Sequence, residues 1–143
     1  MRCWTVEEVS EAGTMLWAER PDPAPAAGQY LVRIEAAGVN FADTLMVRGR
    51  YQRKPATPFT PGIEVAGTIL AAGPDCDLAA GQRICGSVPT GGFADVALVP
   101  AAGVTRVPDD VPADVALVLL GVNYPTSYYA LHDRAGIRAG ETV

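Results

Sequence analysis

The chain has 143 residues, of which 49% are hydrophobic, and it carries a formal net charge of −5 at pH 7. A chain of this length and hydrophobicity forms one globular domain. It has no stripe of Lys or Arg, the surface by which nucleic-acid-binding proteins neutralise phosphates, so the sequence argues against a nucleic-acid-binding function. The apolar runs, such as residues 115–120, are too short to span a bilayer, and the N-terminal residues lack the apolar stretch of a signal peptide.

Six short segments have the composition of β-strands and are separated by turns rich in proline and glycine. They cover residues 2–6, 15–18, 30–37, 63–71, 83–87 and 94–99. In the third segment apolar and polar residues alternate, so Val32 and Ile34 would face the core while Arg33 lies on the opposite side. The pattern predicts a mainly β fold that forms a closed or partly closed barrel.

The pattern changes to helix near residue 108. Residues 108–120 begin with proline and aspartate and continue with good helix formers, which is typical of a helix and its start. Residues 126–134 predict a second helix, and a short helix over 44–48 is expected in the loop after the third strand. The sequence therefore predicts a β domain with a few helices, most of them near its C-terminal end.

The cysteines and the single histidine do not form a metal-binding pattern. Cys3, Cys76 and Cys85 are odd in number and lack CxxC spacing, which predicts a reduced protein and a cytoplasmic location. His132 lies in a predicted helix without a partner ligand nearby in the sequence. These residues therefore predict no metal site.

The most informative stretch is residues 37–68. Asn40, Asp43 and Tyr51 follow the third predicted strand, and a Pro-Gly turn at 61–62 then leads into the next strand. This stretch resembles the catalytic-domain signature of the zinc-independent quinone oxidoreductases of the medium-chain dehydrogenase/reductase superfamily.

The resemblance covers nearly the whole chain and implies a GroES-like fold. This is a mainly β, partly open barrel with a few helices, here lacking the Rossmann domain that would follow it. Residues 1–122 would form the catalytic domain, and residues 123–143 would form a junction helix and the lead-in to a truncated dinucleotide-binding domain.

In function, the resemblance implies an NADPH-dependent enzyme that transfers hydride to a quinone or to an α,β-unsaturated carbonyl. The alternatives are an enoyl-thioester reductase on the same scaffold and a non-catalytic GroES-like binding module. A small quinone or enone would be the partner, with neither nucleic acid nor membrane, and the resemblance allows a homodimer for the full-length protein. Because no GxGxxG sequence occurs in the 143 residues, the chain alone is expected to lack reductase activity.

The resemblance also assigns roles to particular residues. Asn40 and Tyr51 match an asparagine and a tyrosine that lie beside the nicotinamide and line the substrate cleft, where their N–H and O–H groups would stabilise a developing oxyanion. Tyr51 or water would supply the proton, and Asp43 is placed with these two in the catalytic loop. Thr126 matches a threonine that contacts the nicotinamide carboxamide. Zinc-dependent relatives carry cysteine at Asn40 and histidine at Ile63, so the resemblance implies no metal.

Each of these residues also has an alternative structural role. Asn40 is suited to the turn after the strand, and Tyr51 to a half-buried position in the loop. Asp43 would either cap the short helix that follows or orient Asn40, and Thr126 would cap its own helix. Glu64 is expected to satisfy a buried arginine or backbone groups rather than to act as a base.

Overall fold

The computed structural model describes all residues from Met1 to Val143. The strands are β1 (Arg2–Thr5), β2 (Leu16–Glu19), β3 (Gln29–Ala37), β4 (Glu64–Ala72), β5 (Arg83–Ser87), β6 (Val96–Pro100) and β7 (Val104–Arg106). The helices are α1 (Phe41–Met46), α2 (Ala113–Leu120) and α3 (Asn123–Tyr128). A 3₁₀ turn (Ala101–Gly103) precedes β7, and a π-helical segment (Tyr129–Arg134) continues from α3.

The strands form two sheets that do not close into a continuous barrel. Five strands make an antiparallel sheet in the order β6-β3-β4-β5-β7, and β1 pairs with β2 as a separate hairpin. Isolated backbone bridges from Cys3 to Ala94 and from Val6 to Phe59 join the hairpin to the rest of the domain. The expected mainly β fold with a few helices is therefore confirmed, and its sheets do not close into a barrel.

The central strand β4 is buried on both faces of the large sheet. On one face Val65 and Ile69 pack in a cluster that includes Tyr30 of β3. On the other face Ala66 packs beneath α2 against Leu117. Because successive side chains of a strand point to opposite faces, a strand covered on both sides must be largely apolar. The first residue of β4 is the one charged exception to this pattern.

The six predicted strands are observed with boundaries within two residues, whereas the helices differ more. The helix predicted over 108–120 begins only at Ala113, because Pro112 lacks an N–H group and disfavours a helical conformation at the residue before it. The carbonyl groups of Pro108 and Val111 instead accept hydrogen bonds from Arg83, at 3.0 and 2.6 Å.

Three further elements differ from the sequence prediction. The short helix expected over 44–48 lies at Phe41–Met46, and the second C-terminal helix begins at Asn123 rather than at residue 126. Strand β7 was not predicted, since three residues are too few for a recognisable alternation. None of the helices has the length and apolarity required to cross a membrane.

Candidate active site

Three separate parts of the chain meet at one end of the large sheet. Asn40 lies between the end of β3 and the start of α1, Glu64 is the first residue of β4, and Val122 lies between α2 and α3. Asn40 and Glu64 are 8% and 3% exposed. Buried polar groups of this kind must find hydrogen-bond partners, and here they find one another.

Asp43 holds the start of α1 against the turn before β4. Its Oδ2 accepts a hydrogen bond from the backbone N–H of Asn40 at 2.8 Å, and its Oδ1 accepts one from the N–H of Gly62 at 3.1 Å. Asp43 is thus the third residue of α1, bonding back to the residue that precedes the helix, as in a capping box. The prediction that Asp43 precedes a helix at 44–48 is wrong, because α1 begins before Asp43.

Burial raises the pKa of Asp43 above its ordinary value, and the nearby negative charge of Glu64 raises it further. The two backbone N–H groups act in the opposite direction, since they stabilise the ionised carboxylate. The carboxyl group of Asp43 makes its hydrogen bonds to the backbone and none to the side chain of Asn40. Asp43 therefore fixes the backbone of the loop that contains Asn40.

The Asn40 amide has partners at both ends. Its Nδ2 donates to Oε1 of Glu64 at 3.0 Å, and its Oδ1 accepts a hydrogen bond from Nδ2 of Asn123 at 3.3 Å. A side-chain amide has two N–H donors. The second N–H of Asn40 has no acceptor within the chain.

Glu64 connects Asn40 to the segment between α2 and α3. Its Oε2 accepts a hydrogen bond from the backbone N–H of Val122 at 2.5 Å. A Cβ atom at Gly38 would lie 1.9 Å from Oε1, and one at Gly121 would lie 2.5 Å from Oε2. The carboxylate therefore occupies a space that exists because both neighbouring residues are glycines. Glu64 bonds a backbone group as expected, but it has no arginine partner.

Tyr51 lies at a cleft beside this hydrogen-bonded group. The cleft has a volume of about 260 Å³, and its walls include Tyr51, Ile63 and Val122. Tyr51 is half-buried and packs against the apolar cluster that contains Met46. Its hydroxyl group makes no hydrogen bond within the chain. Val122 is the residue that joins the two parts of the site, because it lines this cleft and also donates to Glu64.

Thr126 is exposed on α3 and is not the residue that caps this helix. Its hydroxyl donates a hydrogen bond to the carbonyl oxygen of Val122 at 2.5 Å, four residues earlier. The expected capping role is wrong, because α3 begins three residues before Thr126. The structure thus brings Asn40, Asp43 and Glu64 together directly, places Tyr51 beside them, and connects Thr126 to them only through the backbone of Val122.

Two components of the site were not predicted from the sequence. These are the hydrogen bond from Asn40 to Glu64 and the contribution of Asn123, which lies 83 residues from Asn40. One signal did exist, since Glu64 is the only charged residue of a largely apolar, buried strand. A charge at such a position has a structural or chemical role, because an unpaired buried charge is strongly unfavourable.

Two side chains of the site, Asn40 and Ile63, are poor metal ligands. Asn40 offers an amide and Ile63 a hydrocarbon, whereas zinc is held by thiolate, imidazole or carboxylate groups. No group of three or more His, Cys, Asp and Glu side chains in the chain is arranged to hold a metal ion. The nearby Cys85 is buried, and burial together with the charge of Glu64 raises its pKa to about 11.

Comparisons with known proteins agree with this architecture. Rat quinone oxidoreductase-like protein 2 is 39% identical over 123 residues, which cover 85% of this chain and 35% of that protein. The rat synaptic vesicle membrane protein VAT-1 homolog is 38% identical over 122 residues, which cover 85% of this chain and 30% of that protein. The chain thus spans about a third of the length of these curated relatives.

A solved structure shows the same fold. The quinone oxidoreductase from Thermus thermophilus, whose complex with NADPH is also known, matches 99% of this chain and 43% of its own, with a TM-score of 0.79 and 33% identity. Residues 26–109 match the alcohol dehydrogenase GroES-like domain. Because these residues make up more than half of the chain and include Asn40, Asp43 and Glu64, the chain belongs to the alcohol dehydrogenase GroES-like domain family of the medium-chain dehydrogenase/reductase superfamily.

Proposed function

We propose that this domain is the catalytic half of an NADPH-dependent, zinc-independent enzyme that reduces a quinone or an α,β-unsaturated carbonyl. Residues 1–122 form the catalytic domain in this proposal, and residues 123–143 form the junction with a dinucleotide-binding domain. The observation that carries it is the buried Asn40 amide, which is held at both ends and keeps one N–H without a partner. Asn40 is connected to the cleft of Tyr51 through Glu64 and Val122, because Val122 lines this cleft and donates to Glu64. The similarity to quinone oxidoreductases supports the reaction class.

The chain's own donors would perform the electrostatic part of the reaction. Reduction of a quinone or an enone places negative charge on the substrate oxygen, and preorganised N–H and O–H donors stabilise such a charge. The free N–H of Asn40 and the hydroxyl of Tyr51 are suitable donors, and the hydroxyl of Tyr51 also holds a proton that can be transferred. Asp43 contributes by fixing the loop that carries Asn40.

The donors and acceptors of the site fit the carboxamide of a nicotinamide. The hydroxyl of Tyr51 and one N–H of Asn40 are without partners in the chain, and the exposed Thr126 can accept a hydrogen bond from a carboxamide through its oxygen. Bound NADPH would supply the reducing hydride. Because Asn40 and Ile63 replace ligand residues, these donors take the place that a metal ion has in zinc-dependent relatives. The cytoplasmic location and the homodimer stay predictions.

The test is an assay of the complete gene product with NADPH and three acceptors: a quinone, an unsaturated ketone and an enoyl thioester. Oxidation of NADPH by the quinone or the ketone is expected, and Asn40→Ala should lower kcat on the order of 100-fold, as loss of an oxyanion donor does. Tyr129→Phe is a matched control for variants of Tyr51, since Tyr129 is exposed on the π-helical segment. Turnover confined to the thioester would identify the alternative reductase, and no turnover with any acceptor would refute the proposal.

A further inference from the structure

We infer that Glu64 is a positioning residue that fixes the orientation of the Asn40 amide and thereby the direction of its unpartnered N–H. The orientation of the amide is argued from geometry alone, and its catalytic consequence rests on the proposed function. Glu64 does not touch the cleft itself, because it is 3% exposed and both of its oxygen atoms accept hydrogen bonds from the chain.

The hydrogen bonds at Asn40 form a series with one direction. Asn123 donates to Oδ1 of Asn40, and Nδ2 of Asn40 donates to Glu64, which also accepts from the backbone N–H of Val122. Glu64 ends the series as an ionised carboxylate does, with acceptors only. The two groups next to Glu64, the side-chain amide of Asn40 and the backbone of Val122, must therefore each direct an N–H toward it.

Rotation of the Asn40 amide by half a turn would break this series at Glu64. Oδ1 of Asn40 would then face an oxygen of Glu64, and a buried polar atom without a partner is strongly unfavourable. The exposed Asn123 can rotate its own amide to present either end, so it does not fix the direction. The Asn40 amide consequently has one favoured orientation, which Glu64 determines, and this orientation fixes the position of its free N–H.

Glu64 is itself prevented from moving. Its carboxylate is enclosed by Gly38 and Gly121, whose backbones leave no room for a Cβ atom next to its oxygens. Glu64 has no partner among the ion pairs of the chain, so its charge is met by N–H groups alone. A carboxylate held in this way imposes one orientation on its donors, which an apolar residue of similar volume would not do.

The structure suggests an exchange of the two side chains as the test. In Glu64→Gln, the introduced amide can accept from Val122 or from Asn40 but not from both. In Asn40→Asp, two carboxylates face each other. In the double variant, glutamine at position 64 accepts from Val122 and donates to aspartate at position 40, which still accepts from Asn123. The double variant therefore restores every hydrogen bond and the net charge, but the free N–H at position 40 is lost.

Thermal unfolding of this 143-residue chain tests the orientation. Each single variant should lower Tm by at least about 4 °C, and the double variant should return to within about 2 °C of the wild type. Glu8→Gln is the matched control, since Glu8 is exposed and takes part in none of the ion pairs of the chain, and it should leave Tm unchanged within about 2 °C. Single variants that unfold like the wild type, or a double variant no more stable than the singles, would overturn the inference.

A measurement on the wild type keeps the test decisive when a variant does not fold. The side-chain amide protons of Asn40 should exchange slowly and give a nuclear Overhauser effect to the N–H of Val122, because both groups donate to one carboxylate. Amide protons of Asn40 that exchange as fast as those of the exposed Asn123, without this effect, would overturn the orientation.

Activity of the complete gene product tests the catalytic consequence. The double variant should have normal stability but a kcat lower by about 100-fold, with a smaller change in KM, because the oxyanion donor is gone while the fold is intact. Normal kcat in a stable double variant would overturn the positioning role. An inactive wild-type enzyme would instead refute the proposed function, and the unfolding data would still decide the orientation of Asn40.

Discussion

The replacement of Gly38 by alanine isolates the packing around Glu64 from other effects. Gly38 has no left-handed backbone conformation, so an added Cβ atom causes no backbone strain of that kind. The Cβ atom would, however, lie 1.9 Å from Oε1 of Glu64 and 2.6 Å from its Cδ atom. The carboxylate would have to move by about an ångström or more to restore an ordinary contact distance. Such a shift would disturb the hydrogen bond that the same Oε1 atom accepts from Asn40.

The expected loss of stability has two parts. Overpacking of a buried site costs about 1–3 kcal/mol. Loss of the hydrogen bond from Asn40, which leaves buried polar atoms without partners, costs about 1–3 kcal/mol more. A combined loss of about 2–6 kcal/mol would lower Tm by roughly 7–20 °C for a domain of this size.

Thermal unfolding followed by circular dichroism measures this change. Gly103→Ala is the matched control, because a Cβ atom there would contact only the carbonyl oxygen of Ser87, at an ordinary 3.6 Å, and its backbone is not left-handed either. We expect the control to unfold within about 2 °C of the wild type. If Gly38→Ala unfolds at the same temperature as Gly103→Ala, the carboxylate of Glu64 is not confined as described.

Three further predictions concern single residues. In the complete enzyme, Tyr51→Phe should lower kcat on the order of 100-fold and change NADPH binding far less, and unchanged turnover of an unsaturated ketone would reduce Tyr51 to a wall of the cleft. Because the pKa of Asp43 is raised above its ordinary 3.8, the native state keeps this proton longer than the unfolded chain. The contribution of Asp43 to the unfolding free energy should therefore fall as pH rises from about 3.8 through the raised pKa, and it should be constant above that pKa. Denaturant unfolding of the wild type and of Asp43→Asn across this pH range measures the difference. With a pKa of about 11, roughly 0.1% of Cys85 is thiolate at pH 8. A disulfide reagent should therefore label the half-buried Cys76 before Cys85. Equal labelling rates of the two cysteines in the native protein would contradict the burial of Cys85.

Most of the fold was predictable from local patterns. Alternation and turn residues located six of the seven strands, because a sheet with one buried face leaves a period of two in the sequence. The stretch from Asn40 to Tyr51 was recognisable because its residues lie close together in the sequence. The helix boundaries were less predictable, as α2 shows, where Pro112 and the hydrogen bonds of Arg83 delay the start of the helix.

The composition of the site was determined by tertiary structure. Sequence alone placed Asn40 in a loop after a strand and Glu64 at the start of another. It offered an arginine or backbone groups as partners of Glu64, but not the side chain of Asn40. Their hydrogen bond, and the one from Asn123, join residues 24 and 83 positions apart. The physical reason is that hydrogen bonding depends on which donors and acceptors the fold brings within about 3 Å, and on the space that Gly38 leaves, whereas a sequence pattern records only the neighbours along the chain.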